Sequence, residues 1–224
     1  VSWESPEIAE LMQDIDKRQR VLLFRCLSRE RSSEVFSHLD PEEQDVLMRQ
    51  LTDAESRGLL AELDPDDRTA LLAELPAPVT QRLMSLLSLE DLRESRFLLG
   101  YPEESVGRLM TPDYVSVYAE NSVEQAIDRI RRLGTDAETI NRVYIRDADG
   151  KLLDDIPLRR IVLAPPQATV KDLMDHSFVS LSAFDDREKA VQVMQRYDVV
   201  ALPVVDSEGV LIGIVTVDDV MDVA

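Results

Sequence analysis

Leu27, Leu39, Leu51, Leu63, Leu75, Leu87 and Leu99 fall on every twelfth residue, and Ile15 stands one beat ahead of them. A beat this short leaves room for a helix of roughly nine or ten residues and a tight turn. Ser28, Asp40, Thr52, Asp64 and Ser88 directly follow five of the leucines. Each carries a short side-chain oxygen that can accept from the free N–H groups of a first helical turn. Glu43, Glu55, Asp67 and Asp91 stand three residues further on, so a reciprocal capping box is expected at each. Pro41 and Pro65 take the first helical position, where a missing N–H costs nothing, and Pro76 interrupts the pattern at one cap. Helices this short do not hold alone and must stack on their neighbours. Their inward faces read as Val46/Leu47/Leu51, Leu59/Leu60/Leu63, Leu71/Leu72/Leu75 and Leu83/Leu86/Leu87. The first hundred residues are therefore expected to form a right-angled stack of short helices, a small superhelix with acidic outer faces.

From Gly107 the period changes. Tyr114–Val117 and Phe178–Leu181 read as short alternating strands, each preceded by a Leu-Met pair, at an offset of 64 residues. The same offset relates Val123-Glu-Gln-Ala126 to Arg187-Glu-Lys-Ala190, each opening an amphipathic helix. Further on the offset is 59: Val143–Asp147 matches Leu202–Asp206, and Gly150 matches Gly209. Each copy thus has an acid-rich turn with glycine before its next strand, as a hairpin requires. A closing helix is expected from Pro157 and from Val217, and Ala164-Pro-Pro166 is a stiff link between the copies.

The repeated β-α-β-β-α unit resembles a tandem CBS pair (Bateman module), most clearly in Gly213-Ile-Val-Thr-Val-Asp-Asp-Val220. A short-helix superhelix, then Leu109-Met-Thr-Pro112, then two CBS units ending in Thr216-Val-Asp-Asp219 resembles the cytosolic region of the MgtE family of magnesium channels. The fold expected is α + α/β, an N-terminal superhelix followed by a tandem CBS pair. The expected domains are residues 1–106 for the superhelical N domain, 107–166 for the first CBS domain and 167–224 for the second.

Composition bears on the chemistry. The chain has 44 acids against 25 bases, a formal charge of −19. Such a field repels nucleic acid and anionic lipid, and draws cations or basic partners. Its single cysteine, Cys26, excludes an internal disulfide; among Leu22, Leu23, Phe24 and Leu27 it is expected to be a buried apolar thiol. No window carries about 18 uninterrupted apolar residues, and no signal peptide is visible. The sequence starts at Val1 and stops mid-segment after Asp222-Val-Ala224, so it reads as a soluble piece of a longer protein.

An enzyme is not expected. His38 and His176 are the only histidines, neither with a second ligand at zinc spacing, and no nucleophile elbow, Walker A loop or dinucleotide fingerprint is present. Carboxylates without histidine or thiolate suit hard cations, and Mg²⁺ keeps several waters, so one or two acids per ion suffice. The resemblance, not the spacing, implies Mg²⁺ and says which acids. It sets Glu34 against Asp198, has Asp66 and Asp219 share an ion, and matches Asp186, Glu188 and Asp222 to further acids near the dimer interface or the connecting helix. The superhelix is then held against the CBS units while magnesium is abundant, and swings away when it is not. That closure would act on a C-terminal transmembrane pore of the same chain, with this region at the cytoplasmic face of the membrane.

Other readings stay open. Asp66 and Asp67 also favour a helix macrodipole without any ion, Asp198 also closes a turn, and Asp219 also caps the last helix. Thr216 and Asp219 stand where CBS units hold the ribose or phosphate of an adenine nucleotide such as ATP; the first copy has Pro157 and Arg160 there instead. The resemblance also implies a homodimer through the CBS domains, with Leu173, Met174, Val193 and Met194 buried against the twin or within their own core. A scaffold for dimer assembly alone would bind neither ligand. Arg108, Arg142 and Arg160 place positive charge near the first copy and bear on how many ions bind.

Overall fold

A computed structural model describes residues 3–221. The chain divides into two compact units, Val1–Gly100 and Tyr101–Ala224. Asp222, a candidate ligand, lies outside the described residues.

The first unit is helical on the predicted beat: α1 (Ser5–Asp14), α2 (Lys17–Arg25), α3 (Arg29–Ser37), α4 (Pro41–Met48), α5 (Asp53–Leu60), α6 (Pro65–Glu74), α7 (Ala77–Met84) and α8 (Leu89–Leu98). Helices two apart pack together, α1 on α3, α3 on α5, α4 on α6 and α6 on α8. Their shared core buries Leu39, Leu51, Leu63 and Leu75 of the beat, with Phe36, Leu47, Leu60 and Leu83 between them. Leu27, Leu87 and Leu99 are half-buried against it.

The five predicted caps all begin helices, but they work differently. Thr52 and Glu55 form the full reciprocal box, with the Glu55 N–H donating to Thr52 Oγ1 at 3.3 Å and the Thr52 N–H to Glu55 Oε2 at 2.8 Å. Ser28 and Ser88 each accept one first-turn N–H. Asp40 and Asp64, each followed by proline, make no side-chain cap bond. At Asp40 the backbone oxygen takes the Glu43 N–H at 2.9 Å, leaving the Glu43 carboxylate to pair with Arg20 at 3.0 Å. Asp67 accepts the Ser37 hydroxyl proton rather than completing a box. Cys26 is exposed, against expectation. Helix α2 buries Arg20, Val21 and Phe24, so Leu22 and Cys26 fall on its other face.

The second unit holds both repeats. After α9 (Val106–Leu109), the first comprises β1 (Tyr114–Tyr118), α10 (Val123–Leu133), β2 (Thr139–Arg146), β3 (Leu152–Pro157) and α11 (Leu158–Val162). The second comprises β4 (Leu181–Ser182), α12 (Arg187–Tyr197), β5 (Ala201–Val205), β6 (Leu211–Thr216) and α13 (Val217–Met221). In each three-stranded sheet the first strand runs parallel to the second, and the second pairs antiparallel with the third. The strand expected from Phe178 is reduced to Leu181–Ser182, because only these two residues pair with β5.

The repeat holds at atomic detail. Asp147 accepts the N–H groups of Asp149 and Lys151, and Asp206 those of Glu208 and Val210, all at 2.8–2.9 Å. Gly150 and Gly209 close these turns at φ of 86° and 81°, a region side chains resist. The two hairpins also bond to each other, through the Leu152 N–H to the Gly209 oxygen and the Leu211 N–H to the Gly150 oxygen, each 3.0 Å. The segment leading into each copy docks on the other copy. Val106 and Gly107 donate to Asp185 and Ala183, while Val170 donates to Asn121. A Cβ at Gly107 would stand 2.6 Å from the Tyr101 ring, so only glycine permits that approach. Leu173 and Met174 pack on the first copy's core, and Met194 is buried within the second unit.

Candidate functional site

The strand lip at Thr216 is built by local geometry. As β6 ends, α13 begins at once, and the Thr216 N–H donates to Asp219 Oδ2 at 3.1 Å. The Thr216 hydroxyl lies 2.7 Å from the same oxygen and also reaches the Asp218 carboxylate. Two carboxylates thus converge on one buried hydroxyl that owns one proton. The arrangement concentrates negative charge at the start of a helix, where it is tolerated.

Helix α12 carries three further candidates. Asp186 is its N-cap, accepting the Glu188 N–H at 2.8 Å, and Glu188 lies exposed in the first turn. Asp198 ends the same helix in the left-handed region, φ 51° and ψ 50°, where Asp is among the few tolerated side chains. Eleven helical residues set these two ends about 16 Å apart, so no single ion takes both. In the first unit Glu34 is on α3 and accepts the Ser5 hydroxyl proton at 2.6 Å. Asp66 lies in the first turn of α6, beside the Asp67 that Ser37 of α3 reaches, so these two candidates come from helices that touch. Among the described residues no three of His, Cys, Asp and Glu gather closely enough to hold a metal ion by themselves.

The arginines near the first copy are largely committed. Arg142 grips Asp155 in a two-pronged pair, both contacts 2.6 Å. Arg160 pairs with Asp175 at 2.7 Å and holds that carboxyl below the ordinary range, with help from the Ser177 N–H. Two nitrogens of Arg108, Nε and Nη1, are buried without a hydrogen-bond partner among the described residues. Burial, then the neighbouring Asp155 charge, pushes the Tyr144 hydroxyl pKa well up.

Sequence reasoning missed Asp154. It is fully buried, yet its carboxylate accepts three backbone N–H groups, of Asp155, Asp175 and His176, each at 2.9 Å. It fastens the first copy's hairpin to the segment entering the second. No local pattern betrays it, because two of its three donors lie some twenty residues downstream.

Residues 3–104 match the MgtE intracellular N domain, and residues 106–166 and 170–224 each match the CBS domain. The magnesium transporter MgtE of Thermus thermophilus is 42% identical over 143 residues, 64% of this chain and 32% of that protein. The magnesium transporter MgtE of Bacillus subtilis is 34% identical over 140 residues, 62% of this chain and 31% of that protein. The chain therefore spans about a third of the length of the curated relatives it matches. Among solved structures, the cytosolic domain of the Mg²⁺ channel MgtE in complex with ATP superposes with a TM-score of 0.96 at 36% identity, covering 100% of this chain and 91% of that one. The soluble part of a magnesium transporter follows at 0.91 and 30%, covering 99% and 87%.

Proposed function

The chain belongs to the MgtE family of magnesium transporters, and from that premise we propose that it is the region that senses Mg²⁺ and closes the pore when the ion is plentiful. The observation that carries this reading is how the candidate acids are presented. Glu34, Asp66, Asp186, Glu188, Asp198 and Asp219 stand on helix ends or exposed helix faces, without a complete metal cage among the described residues. An ion at any of them must complete its shell with water and with a carboxylate from elsewhere, and Mg²⁺ accepts that ligation.

Facing acids repel by about 1 kcal/mol per pair at 4 Å in water and about 4 kcal/mol at an effective dielectric of 20. Docking of the helical unit on the CBS pair is opposed by this repulsion until ions neutralise it. A weak ion present at its own dissociation constant adds only about 0.4 kcal/mol. Several must act together, which makes a graded response. The docked state would act on a transmembrane pore of the same chain at the cytoplasmic face, in a homodimer joined through the CBS domains. Small-angle scattering in chelator and in millimolar Mg²⁺ tests this. The radius of gyration falls with Mg²⁺, and Asp66→Asn with Asp219→Asn blunts the fall; an unchanged radius defeats the sensor.

A second reading has its own support. The Thr216–Asp219 lip occurs only in the second copy, where the first has Pro157, and one structural relative is an ATP complex. One adenine nucleotide per CBS pair is expected. Calorimetry with ATP should show heat that Thr216→Ala removes; no heat with the unaltered chain rejects it.

A further inference from the structure

Arginine gathers in the first CBS copy, at the end of the sheet away from Pro157. Across the β2–β3 hairpin Arg142 pairs with Pro157, but Arg146 with Leu152, and Arg146 is also the register partner of Tyr118, the last residue of β1. The guanidinium carbons of Arg129 and Arg146 lie 5.6 and 5.3 Å from the centroid of the Tyr118 ring. Beside the ring opens a concavity of about 660 Å³ whose walls include Tyr118, Gln125, Asp128, Arg129, Arg131 and Arg132; Arg146 stands outside this wall and borders it only through the Tyr118 ring and hydroxyl. Gln125, Arg129 and Arg132 follow one another at steps of four and three residues, and Asp128 lies three after Gln125 and four before Arg132, so one stripe of α10 faces it.

The charges do not cancel there. Asp128, the one carboxylate in the wall among the described residues, is 3.5 Å from Arg131. No ion pair to Arg129, Arg132 or Arg146 occurs among the described residues. Arg129 donates through Nε to the Ser116 oxygen at 2.6 Å, which positions its outer fork. Arg146 reaches the Tyr118 hydroxyl through Nη2 at 3.4 Å, while its Nε is buried without a hydrogen-bond partner among the described residues. Packing on an aromatic ring explains where the two guanidiniums lie, but leaves that Nε unsatisfied at a cost. In a chain of net charge −19, guanidiniums held together with one wall carboxylate, itself paired to Arg131, are matched by a ligand that brings further negative charge.

We propose that Arg129, Arg132 and Arg146 around Tyr118 bind a phosphate-bearing small anion of at least two phosphoryl groups, in a site separate from the Thr216 lip. Guanidinium forks match phosphate oxygens two at a time, and three of them suit more than one phosphoryl group. With two guanidiniums against it, the Tyr118 ring holds cations rather than stacking a base, so the phosphate chain is what the site reads. The proposal does not depend on magnesium sensing.

Calorimetry of the full 224-residue chain with inorganic pyrophosphate, in chelator and low salt, tests it. One saturable event per chain is expected, weakened at least about tenfold by Arg146→Gln and by Arg132→Gln. Thr216→Ala should leave it unchanged. Circular dichroism checks that each variant folds, and Arg132, exposed on α10, keeps the test valid if Arg146→Gln does not. Absence of saturable heat at millimolar pyrophosphate overturns the site. So does binding that survives both glutamine variants, or binding that Thr216→Ala abolishes.

Discussion

Two residues of the first unit show what single side chains do for the stack. Glu55 accepts from Arg25 at 2.7 Å and from the Thr52 N–H and hydroxyl at 2.8 Å, and these bonds, Arg25's first, bring its pKa down to about 2 from the ordinary 4.5. A depressed carboxylate contributes stability above its unfolded pKa and loses it as pH falls through the folded one. The contribution of Glu55 should thus fade between pH about 4.5 and about 2. A carboxyl-carbon NMR titration should give a midpoint near 2, and Glu55→Gln should flatten that part of the acid-unfolding curve. Arg68 is the buried counterpart. It donates to the Leu60 and Leu63 oxygens and to Ser95, and pairs with Glu94 at 2.7 Å. Arg68→Met would strand those acceptors and should cost about 3–5 kcal/mol in urea unfolding.

At the scale of an element, α12 shows structural and proposed functional duties on the same acids. Asp186 caps it and Asp198 terminates it in the left-handed region. The duties separate by substitution. Asn tolerates the same backbone, so Asp198→Asn should keep stability within about 0.5 kcal/mol, while weakening the Mg²⁺-induced compaction. Asp198→Gly removes the positive-φ penalty and should hold or slightly raise the melting temperature, with the same functional loss. Thermal melts read one duty and scattering the other. A variant at Asp198 that leaves compaction intact would remove it from the ligand set.

For the whole molecule, a charge of −19 makes repulsion a general term in stability. Without divalent ions the melting temperature should rise as NaCl goes from about 10 to about 150 mM, because the Debye length shortens to about 8 Å. Mg²⁺ at matched ionic strength should raise it further, since specific binding adds to screening. Equal effects of the two salts would mean that charge is only screened, and metal sensing by this region would fail.

Much of this was legible in the chain. A twelve-residue beat with oxygen-bearing caps can only be a row of short helices, because capping and helix length are local physics. The two glycines at matched hairpins, and the strand–helix lip at Thr216, were readable for the same reason. What needed the tertiary structure is whatever depends on partners distant in sequence. Which face of α2 is buried, and hence that Cys26 is exposed, follows from how neighbouring helices lie. Asp40 and Asp64 make no side-chain cap bond, and the first-turn acids Glu43 and Asp67 instead find partners on other helices. The exchange of leading segments between the copies, the buried Asp154 that fastens them, and the arginines around Tyr118 arise only when the folded chain brings remote groups within hydrogen-bond or charge range.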